Sequence, residues 1–180
     1  MFNRFIQKTK KAQISQGEIE FVNLQELSSI ISDKKLSDSS KRRIALQGLT
    51  GVNESRRIKA NIIDRNIFLA NSCNYLLEPA NCKLELLLCW LNSKLLNFIF
   101  KARSTSSNVN GYEIDNLPFC FSKYDDELIE LAKSILIKKS VNILTDTSEL
   151  ERNIDERIYE IFSLTEEEIK IIENSTINPS

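Results

Sequence analysis

The sequence predicts an α+β fold, in which a small mixed or antiparallel sheet packs on a central buried helix and a C-terminal helical segment follows. Three observations indicate this class. Apolar and polar residues alternate with a period of two between Lys41 and Ile62, as they do in strands. From Lys83 to Phe100 the chain is apolar around most of a helical circumference. Beyond Asp125 the apolar residues recur at helical spacing.

The first part of the chain carries weaker signals. Residues 16–22 are predicted to form a short strand. Asn23 then fits the N-cap of a helix that runs to Ile31, because Glu26 stands at capping-box spacing from it. Residues 33–40 are polar and are predicted to be a connection.

Two neighbouring strands are predicted, one on each side of a turn at residues 48–54. Each has an apolar face and a polar face, because side chains alternate along a strand. The polar faces carry Arg43, Gln47, Arg57, Lys59 and Asn61. Paired side by side, the strands would present one joint polar and basic surface. Residues 66–70 are a third candidate strand, and residues 73–81 are predicted to be a loop.

The most apolar stretch, residues 84–100, predicts a single helix that is buried on more than one side. About 17 residues at about 1.5 Å each give roughly 26 Å, which is short for a membrane span. Four polar residues interrupt the pattern: Asn92, Ser93, Lys94 and Asn97. A polar loop follows, in which Asn110 and Gly111 favour a turn, and residues 112–114 are predicted to be a short strand.

Beyond this loop the pattern is helical. An apolar stripe begins at Leu128, and further amphipathic stretches follow at residues 155–162 and 165–172. The last of them opens with Thr-Glu-Glu-Glu, which is a helix-capping sequence. We therefore predict a target-recognition α+β domain over residues 1–122 and a helical segment over residues 123–180 that packs on it.

Charge is distributed unevenly along the chain. Its 180 residues carry 24 basic and 25 acidic groups, a net charge of −1. Residues 41–110 carry 11 basic and 4 acidic groups, a net +7, whereas residues 111–180 carry 7 and 16, a net −9. Such asymmetry indicates a charged partner for the middle section.

Several segments, taken in order, resemble one protein family. A leucine-rich helix ending in LNSK leads to a Ser/Thr/Asn loop, a tyrosine-containing segment and Leu-Pro, within LLLCWLNSKLLNFIFKARSTSSNVNGYEIDNLPF. Further matches are Gln-Gly-Glu at residues 16–18, IALQGLTGVNESRRIKANII at residues 44–63, LANSCNY at residues 69–75 and IDERIYEIFSLTEEEIKIIE at residues 154–173. The ordered set resembles the C-terminal specificity (target recognition) domain of type II restriction-modification adenine-specific DNA methyltransferases.

The resemblance implies a division of labour within a bacterial restriction-modification system. This module would grip double-stranded DNA and check its sequence, while a separate methyltransferase catalytic domain or subunit would bind S-adenosylmethionine and receive a flipped adenine. The chain departs from such enzymes because the catalytic portion is missing. The catalytic tetrapeptide of such enzymes requires two adjacent prolines, and this chain's three prolines are all separated from one another. Its four glycines form no G-x-G turn of the kind that holds the methyl donor. We expect no cofactor within this chain, and whether it belongs to an active enzyme stays open.

The residues expected to contact DNA are of two chemical kinds. Arginine and lysine attract phosphates, whereas asparagine, glutamine, serine and threonine match base edges. On the basic strands and in the polar loop, these rules select Arg43, Gln47, Arg56, Arg57, Lys59, Asn61, Lys101, Arg103, Ser104, Thr105, Ser106, Ser107, Asn108 and Asn110. The competing interpretation is that the arginines are merely solvated and that the loop is an ordinary connection.

Other chemistries have less support in the sequence. Without histidine, Ser-His and Cys-His nucleophiles are excluded. The four cysteines lack CxxC spacing and are predicted to be reduced thiols packed as small hydrophobic residues. Asp155, Glu168 and Lys170 superficially suggest a nuclease site, but carboxylates on acidic helices are usually just solvated.

An alternative of a different class stays open. The chain would then be a protein-interaction module, or an inactive remnant of such an enzyme, whose acidic helices dock a methyltransferase or nuclease partner. Neither a secretory signal nor a membrane span is visible, so we expect a cytoplasmic protein without a membrane partner.

Overall fold

The computed structural model describes residues 14–15, 18–19, 29–69 and 72–175. Its strands are β1 (Ile14–Ser15), β2 (Glu18–Ile19), β3 (Arg43–Gln47), β4 (Ala60–Ile63) and β5 (Cys73–Leu77). Its helices are α1 (Asp33–Ser39), α2 (Leu84–Asn92), α3 (Lys94–Arg103), α4 (Gly111–Asp115), α5 (Asp125–Val141), α6 (Ser148–Ile161) and α7 (Glu166–Ser175). This combination of a small antiparallel sheet with several helices confirms the predicted α+β class.

The main sheet has three antiparallel strands in the order β4–β3–β5. Ile44 of β3 stands opposite Ile62 of β4 and Leu76 of β5. All three belong to the apolar core that also contains Leu84 and Leu88 of α2. The two strands predicted around the turn at residues 48–54 are thus confirmed, and so is the helical character of the apolar stretch that packs on them.

The opposite face of the sheet is covered as well. Ala45 and Ile63 form a smaller apolar cluster with Ile67 and Leu69, which follow β4 in the chain. Polar side chains of β3, of β4 and of the segment before β4 are also mostly buried, namely Arg43, Arg57, Lys59 and Asn61. The predicted alternation is confirmed, but the predicted exposure of the polar face is wrong, because the chain after β4 covers Ala45 and Ile63, and residues 106 and 108 cover Arg57.

The stretch predicted to be one long helix is two helices. Ser93 lies between them, as the C-cap of α2 and the N-cap of α3. Its hydroxyl donates to Trp90 O at 2.8 Å and accepts from Leu96 N at 3.2 Å. The prediction is wrong at this residue because a serine hydroxyl can replace backbone bonds of a helix and start a new one.

Two further predictions are wrong because a helix cap decides the local structure. Residues 33–40 are not a mere connection: α1 forms there, and Ser32 caps its first turn. Residues 112–114 lie in α4 instead of a strand. Asn110 and Glu113 form a capping box at the start of that helix.

Two predictions are wrong because strand pairing over long distances leaves no local pattern. Residues 73–77, predicted as part of a loop, form β5, which pairs with β3 from Arg43↔Leu77 to Gln47↔Cys73. The described part of the candidate strand at residues 66–70 is irregular. That segment instead covers Ala45 and Ile63.

A short antiparallel hairpin is formed by β1 and β2, in which Ile14 pairs with Ile19. Strand β2 falls within the strand predicted at residues 16–22, whose other residues lie outside the described part of the chain. The helix predicted to begin at Asn23 also lies outside it, apart from its last turn.

Helices α5, α6 and α7 pack on the two central helices. Leu128, Ala132 and Ile135 of α5 and Ile158 of α6 are fully buried, in the same apolar core as Leu88. The predicted helical character of this part of the chain is confirmed. One core runs through both predicted units, and the boundary at residue 122 stays a prediction.

The four cysteines are free thiols. Cys82 and Cys89 are buried, as predicted, and the Cys89 thiol lies 3.2 Å from Leu128 O. Burial raises the pKa of Cys89 far above its ordinary value. Cys120 is exposed, so the prediction that every thiol packs in the interior is wrong there.

Candidate nucleic-acid interface

The connection between α3 and α4, residues 104–110, is the segment that we call the polar loop, and it is joined to the turn that follows β3. Thr50 N donates to Ser107 O at 2.8 Å, and Val109 N donates to Gly48 O at 2.9 Å. These bonds fix the loop backbone on its inner side. Its exposed side chains are those of Thr105, Ser106, Ser107 and Asn108.

A buried arginine supports the polar loop from beneath. Arg57 is 1% exposed; its Nε donates to Thr50 Oγ1 at 2.8 Å, and its Nη2 donates to the carbonyls of Ser106 and Asn108. Its guanidinium lies over the Phe100 ring, 5.2 Å from the centroid. Removal from water lowers the pKa of this group. The loop backbone is therefore tied to the sheet through an internal cation.

Two asparagines of the central helices hold the segment that carries Arg57. Asn97 Oδ1 accepts from Arg57 N at 2.7 Å, and its Nδ2 donates to Ser55 O at 2.9 Å. The Asn92 amide accepts from Ala60 N at 3.2 Å and donates to Ala60 O at 3.0 Å. Since β4 is an edge strand, these amides satisfy backbone groups that have no strand partner on that side. The polar residues within the apolar stretch thus dock it against the sheet.

Both ends of the polar loop are anchored. Ser104 is buried at the start, where exposed Arg103 donates to Asn116 O at 3.4 Å. At the other end, Asn110 donates to Glu113 Oε2 from its backbone at 3.0 Å and from its side chain at 2.9 Å. Burial alone would raise the pKa of Glu113, but the nearby Ser104 hydroxyl and the hydrogen bonds from Asn110 lower it. Ser104 and Asn110 therefore shape the loop from within.

Arg43 stands at the other end of β3 from the polar loop and is bound within the protein. Its Nη1 donates to the carbonyls of Ser39 and Lys41, each at 3.1 Å, and its Nη2 donates to the carbonyl of Ile67. Its guanidinium also lies 5.6 Å from the centroid of the Tyr75 ring. An arginine whose donors are taken by backbone carbonyls stabilises the fold and is not presented to a phosphate.

Three polar strand residues are also engaged within the protein. Lys59 Nζ pairs with Glu54 Oε2 at 2.9 Å. Gln47 Nε2 donates to Leu49 O at 2.6 Å. Asn61 is buried, and its Oδ1 accepts no hydrogen bond from the described residues. None of the three is displayed on an open strand face of the kind that the sequence pattern predicts.

Arg56 and Lys101 turn towards the C-terminal helices. Arg56 Nη1 donates to Asn92 O at 2.6 Å, and Lys101 Nζ donates to Ser175 O at 3.0 Å. Burial lowers the pKa of Arg56, and the nearby carboxylate of Asp155 opposes this effect. Both cations are thus engaged with α2 and α7, and neither bonds to the polar loop.

Four charged side chains and one tyrosine hydroxyl form what we call the ionic cluster: Arg56, Lys94, Asp155, Tyr159 and Glu173. Asp155 is 2% exposed; its Oδ1 accepts from Lys94 N at 2.8 Å, and its Oδ2 lies 3.9 Å from Lys94 Nζ. Lys94 also pairs with Glu173, which accepts from Tyr159 OH at 2.9 Å. Burial raises the pKa of Asp155 to about 6. The prediction that this carboxylate is merely solvated is wrong.

The structure brings part of the predicted DNA-contacting set together. Arg57 lies directly under Ser106 and Asn108. The members that are exposed at this place are Arg103, Thr105, Ser106, Ser107 and Asn108. The remaining members support the fold or the loop instead of forming its outer surface.

Three residues that position the polar loop escape sequence reasoning. Thr50 accepts from Arg57, and Asn74 Nδ2 donates to Val109 O at 2.7 Å. A Cβ atom on Gly48 would lie 2.9 Å from Ser72 O, so the close approach of these two segments requires glycine there. Gly48 falls in the predicted turn, but no local pattern indicates its contact with β5.

Metal and membrane sites are not found in the described part of the chain. No group of three or more His, Cys, Asp or Glu side chains there could hold a metal ion. No helix there combines the length and the apolar content needed to cross a bilayer. Comparison with models of known protein families gave no match, and comparison with curated proteins gave none either.

Proposed function

We propose that this chain is a DNA target-recognition module that works with a separate adenine-specific methyltransferase domain or subunit. One observation carries the proposal: the polar loop is bound along its inner side and exposes hydroxyl and amide side chains, which are the groups that match base edges. A loop that is already ordered loses less entropy when it binds. The resemblance of the sequence to specificity domains supports the same function.

The exposed cationic surface is smaller than the charge of the middle section predicts. Much of that charge is used inside the protein, as Arg57 and Lys94 illustrate. Arg103 is exposed beside the polar loop, and Lys41 and Arg65 are exposed at the far end of the sheet. Because phosphate attraction depends on exposed cations, we expect weak binding to arbitrary sequences and a larger contribution from the loop on the correct one.

Binding of the full chain to duplex DNA tests the proposal. The logarithm of the association constant should fall linearly with the logarithm of salt concentration, with a slope of about −0.9 for each phosphate neutralised. A fluorescence titration over a range of salt concentrations measures this slope. Absence of binding at low salt, or binding that salt does not weaken, would contradict the proposal.

A second candidate function, docking of a protein partner, is favoured by an apolar strip at the end of α5. Ile137, Val141 and Leu144 are 65%, 84% and 70% exposed. Deleting the C-terminal helices would not test docking, because Leu128 and Ile135 belong to the core. Serine at Ile137 and Val141 tests it: lost association with a methyltransferase catalytic domain, with DNA binding unchanged, would favour docking through this strip.

A further inference from the structure

The geometry points to Arg57 as the residue that positions the polar loop from inside, and thereby sets which base edges the loop can reach, without touching DNA itself. This inference rests on the proposed function, because it concerns how the loop of that same site is held. It gives Arg57 a role different from the phosphate contact that its position in a basic section predicts.

Three successive carbonyls of the polar loop accept hydrogen bonds from the sheet side. Those of Ser106 and Asn108 accept from Arg57 Nη2, and the carbonyl of Ser107 between them accepts from Thr50 N. Arg57 Nε is taken by the Thr50 hydroxyl. With Phe100 against its guanidinium and 1% of its surface exposed, Arg57 is too enclosed for a phosphate to reach it.

Arginine suits this position and lysine does not. A guanidinium is a rigid fork whose donors can serve acceptors on two sides, here Thr50 and the loop carbonyls. An ammonium on a flexible stem carries the same charge but cannot hold both with one geometry. Substitution by lysine therefore separates the effect of the charge from the effect of the positioning.

The loop's position matters because base readout tolerates little displacement. Hydrogen bonds to base edges require donor–acceptor distances of about 2.7–3.2 Å, so a shift of about 1 Å in Ser106 or Asn108 changes which edges they match. Attraction to phosphates changes much less over such a shift. Loss of Arg57 should therefore remove sequence preference and leave the salt dependence of binding as it is.

The experiment compares Arg57→Met with Arg103→Met, the matched removal of an exposed cation at the start of the same loop. Each full chain is used to select from duplexes of randomised sequence, and its salt slope is then measured on the unselected pool. Arg57→Met should reduce the ratio of affinities for selected and random duplexes by about tenfold or more, with an unchanged slope. Arg103→Met should keep the preferred sequence and reduce the slope by about 1.

Arg57→Lys should lose sequence preference as Arg57→Met does. The inference is overturned if Arg57→Met keeps the preferred sequence, whether its slope falls, as for a phosphate contact, or stays constant. Should Arg57→Met not fold, Thr50→Val replaces it, since this variant removes only the acceptor for Arg57 Nε. It should shift the preference in the same direction by a smaller factor, and an unchanged preference would overturn the inference.

Failure of the proposed function can be told apart from failure of this inference. If the unmodified chain binds no duplex, the proposed function fails. Hydrogen exchange at the amides of Thr50 and Val109, which join the polar loop to the turn after β3, then tests whether Arg57 positions the loop. Exchange about tenfold faster in Arg57→Met than in Arg103→Met would support positioning by Arg57. Equal exchange in the two variants would refute it.

Discussion

Arg56 and Arg57 are neighbours in the chain, but they turn in opposite directions and use a cation in two different ways. Arg57 binds neutral carbonyls of the polar loop, so the directions of its guanidinium donors matter more than its charge. Arg56 binds one carbonyl, that of Asn92, and faces the carboxylates of the ionic cluster, so its charge matters more. The first arginine shapes an exposed surface, and the second joins the sheet to the C-terminal helices.

The largest expected effect is a difference in folding stability between the methionine variants of these two arginines. Arg57→Met removes a 1% exposed cation together with its bonds to Thr50 and to two loop carbonyls, and should lower the free energy of unfolding by about 3–5 kcal/mol. Arg56→Met removes one hydrogen bond and one cation near Asp155, which keeps Lys94 as its ion-pair partner, and should cost about 2 kcal/mol. Urea denaturation of both variants measures the difference. Equal losses of unfolding free energy would show that the guanidinium geometry of Arg57 contributes nothing beyond its positive charge.

The ionic cluster predicts that stability decreases as pH rises, which is opposite in sign to the effect of the lowered pKa of Glu113 beside the polar loop. The pKa of Asp155 is raised from 3.8 to about 6, so between these values the folded state holds a proton that the unfolded chain has released. The free energy of unfolding should thus decrease as pH rises through this window, by about 2–3 kcal/mol from this group.

Asp155→Asn isolates that contribution. Because asparagine stays neutral and can still accept from Lys94 N, the variant should match the unmodified chain near pH 4 and exceed its stability at pH 7. Lys94, Arg56, Tyr159 and Glu173 face this group and are unchanged in the variant. Denaturation at both pH values measures the difference, and parallel pH profiles would contradict the account of Asp155.

A smaller loss of folding stability is expected when only one hydrogen bond near the polar loop is removed. Thr50→Val keeps the shape of the side chain and removes one acceptor for Arg57, so it should lower the free energy of unfolding by about 1–2 kcal/mol. Arg103→Met, at an exposed position, should change it by less than about 0.5 kcal/mol. Chemical denaturation of the two variants tests this order, and a larger loss for Arg103→Met would reverse it.

The sequence pattern predicts which segments form strands, but not whether their polar side chains are exposed. Period-two alternation correctly predicted the paired strands, but it gave no indication that Arg57 lies under Ser106 and Asn108. Exposure depends on what covers a face, and the apolar residues that cover this one, Ile67 and Leu69, lie in a segment without regular structure. A local pattern could not predict that covering.

The distribution of charge along the sequence likewise does not indicate which cations stay exposed. A net charge of +7 over residues 41–110 predicts an external anionic partner, but Lys94 pairs with Asp155 and Glu173 of the acidic end of the same chain. Part of the asymmetry is therefore neutralised when the chain folds. Summed charge along a sequence cannot separate ion pairs inside the protein from cations left for a ligand.

The central claim is that the polar loop reads DNA, and replacing its four exposed side chains tests this most directly. Alanine at Thr105, Ser106, Ser107 and Asn108 keeps the bonds that the loop carbonyls accept from Arg57 and Thr50, and removes one bond within the loop, from Asn108 N to Ser106 Oγ. In selection from randomised duplexes, the unmodified chain should enrich a defined sequence, and the alanine variant should enrich none while keeping its affinity for random DNA. Enrichment of the same sequence by both proteins would contradict the claim.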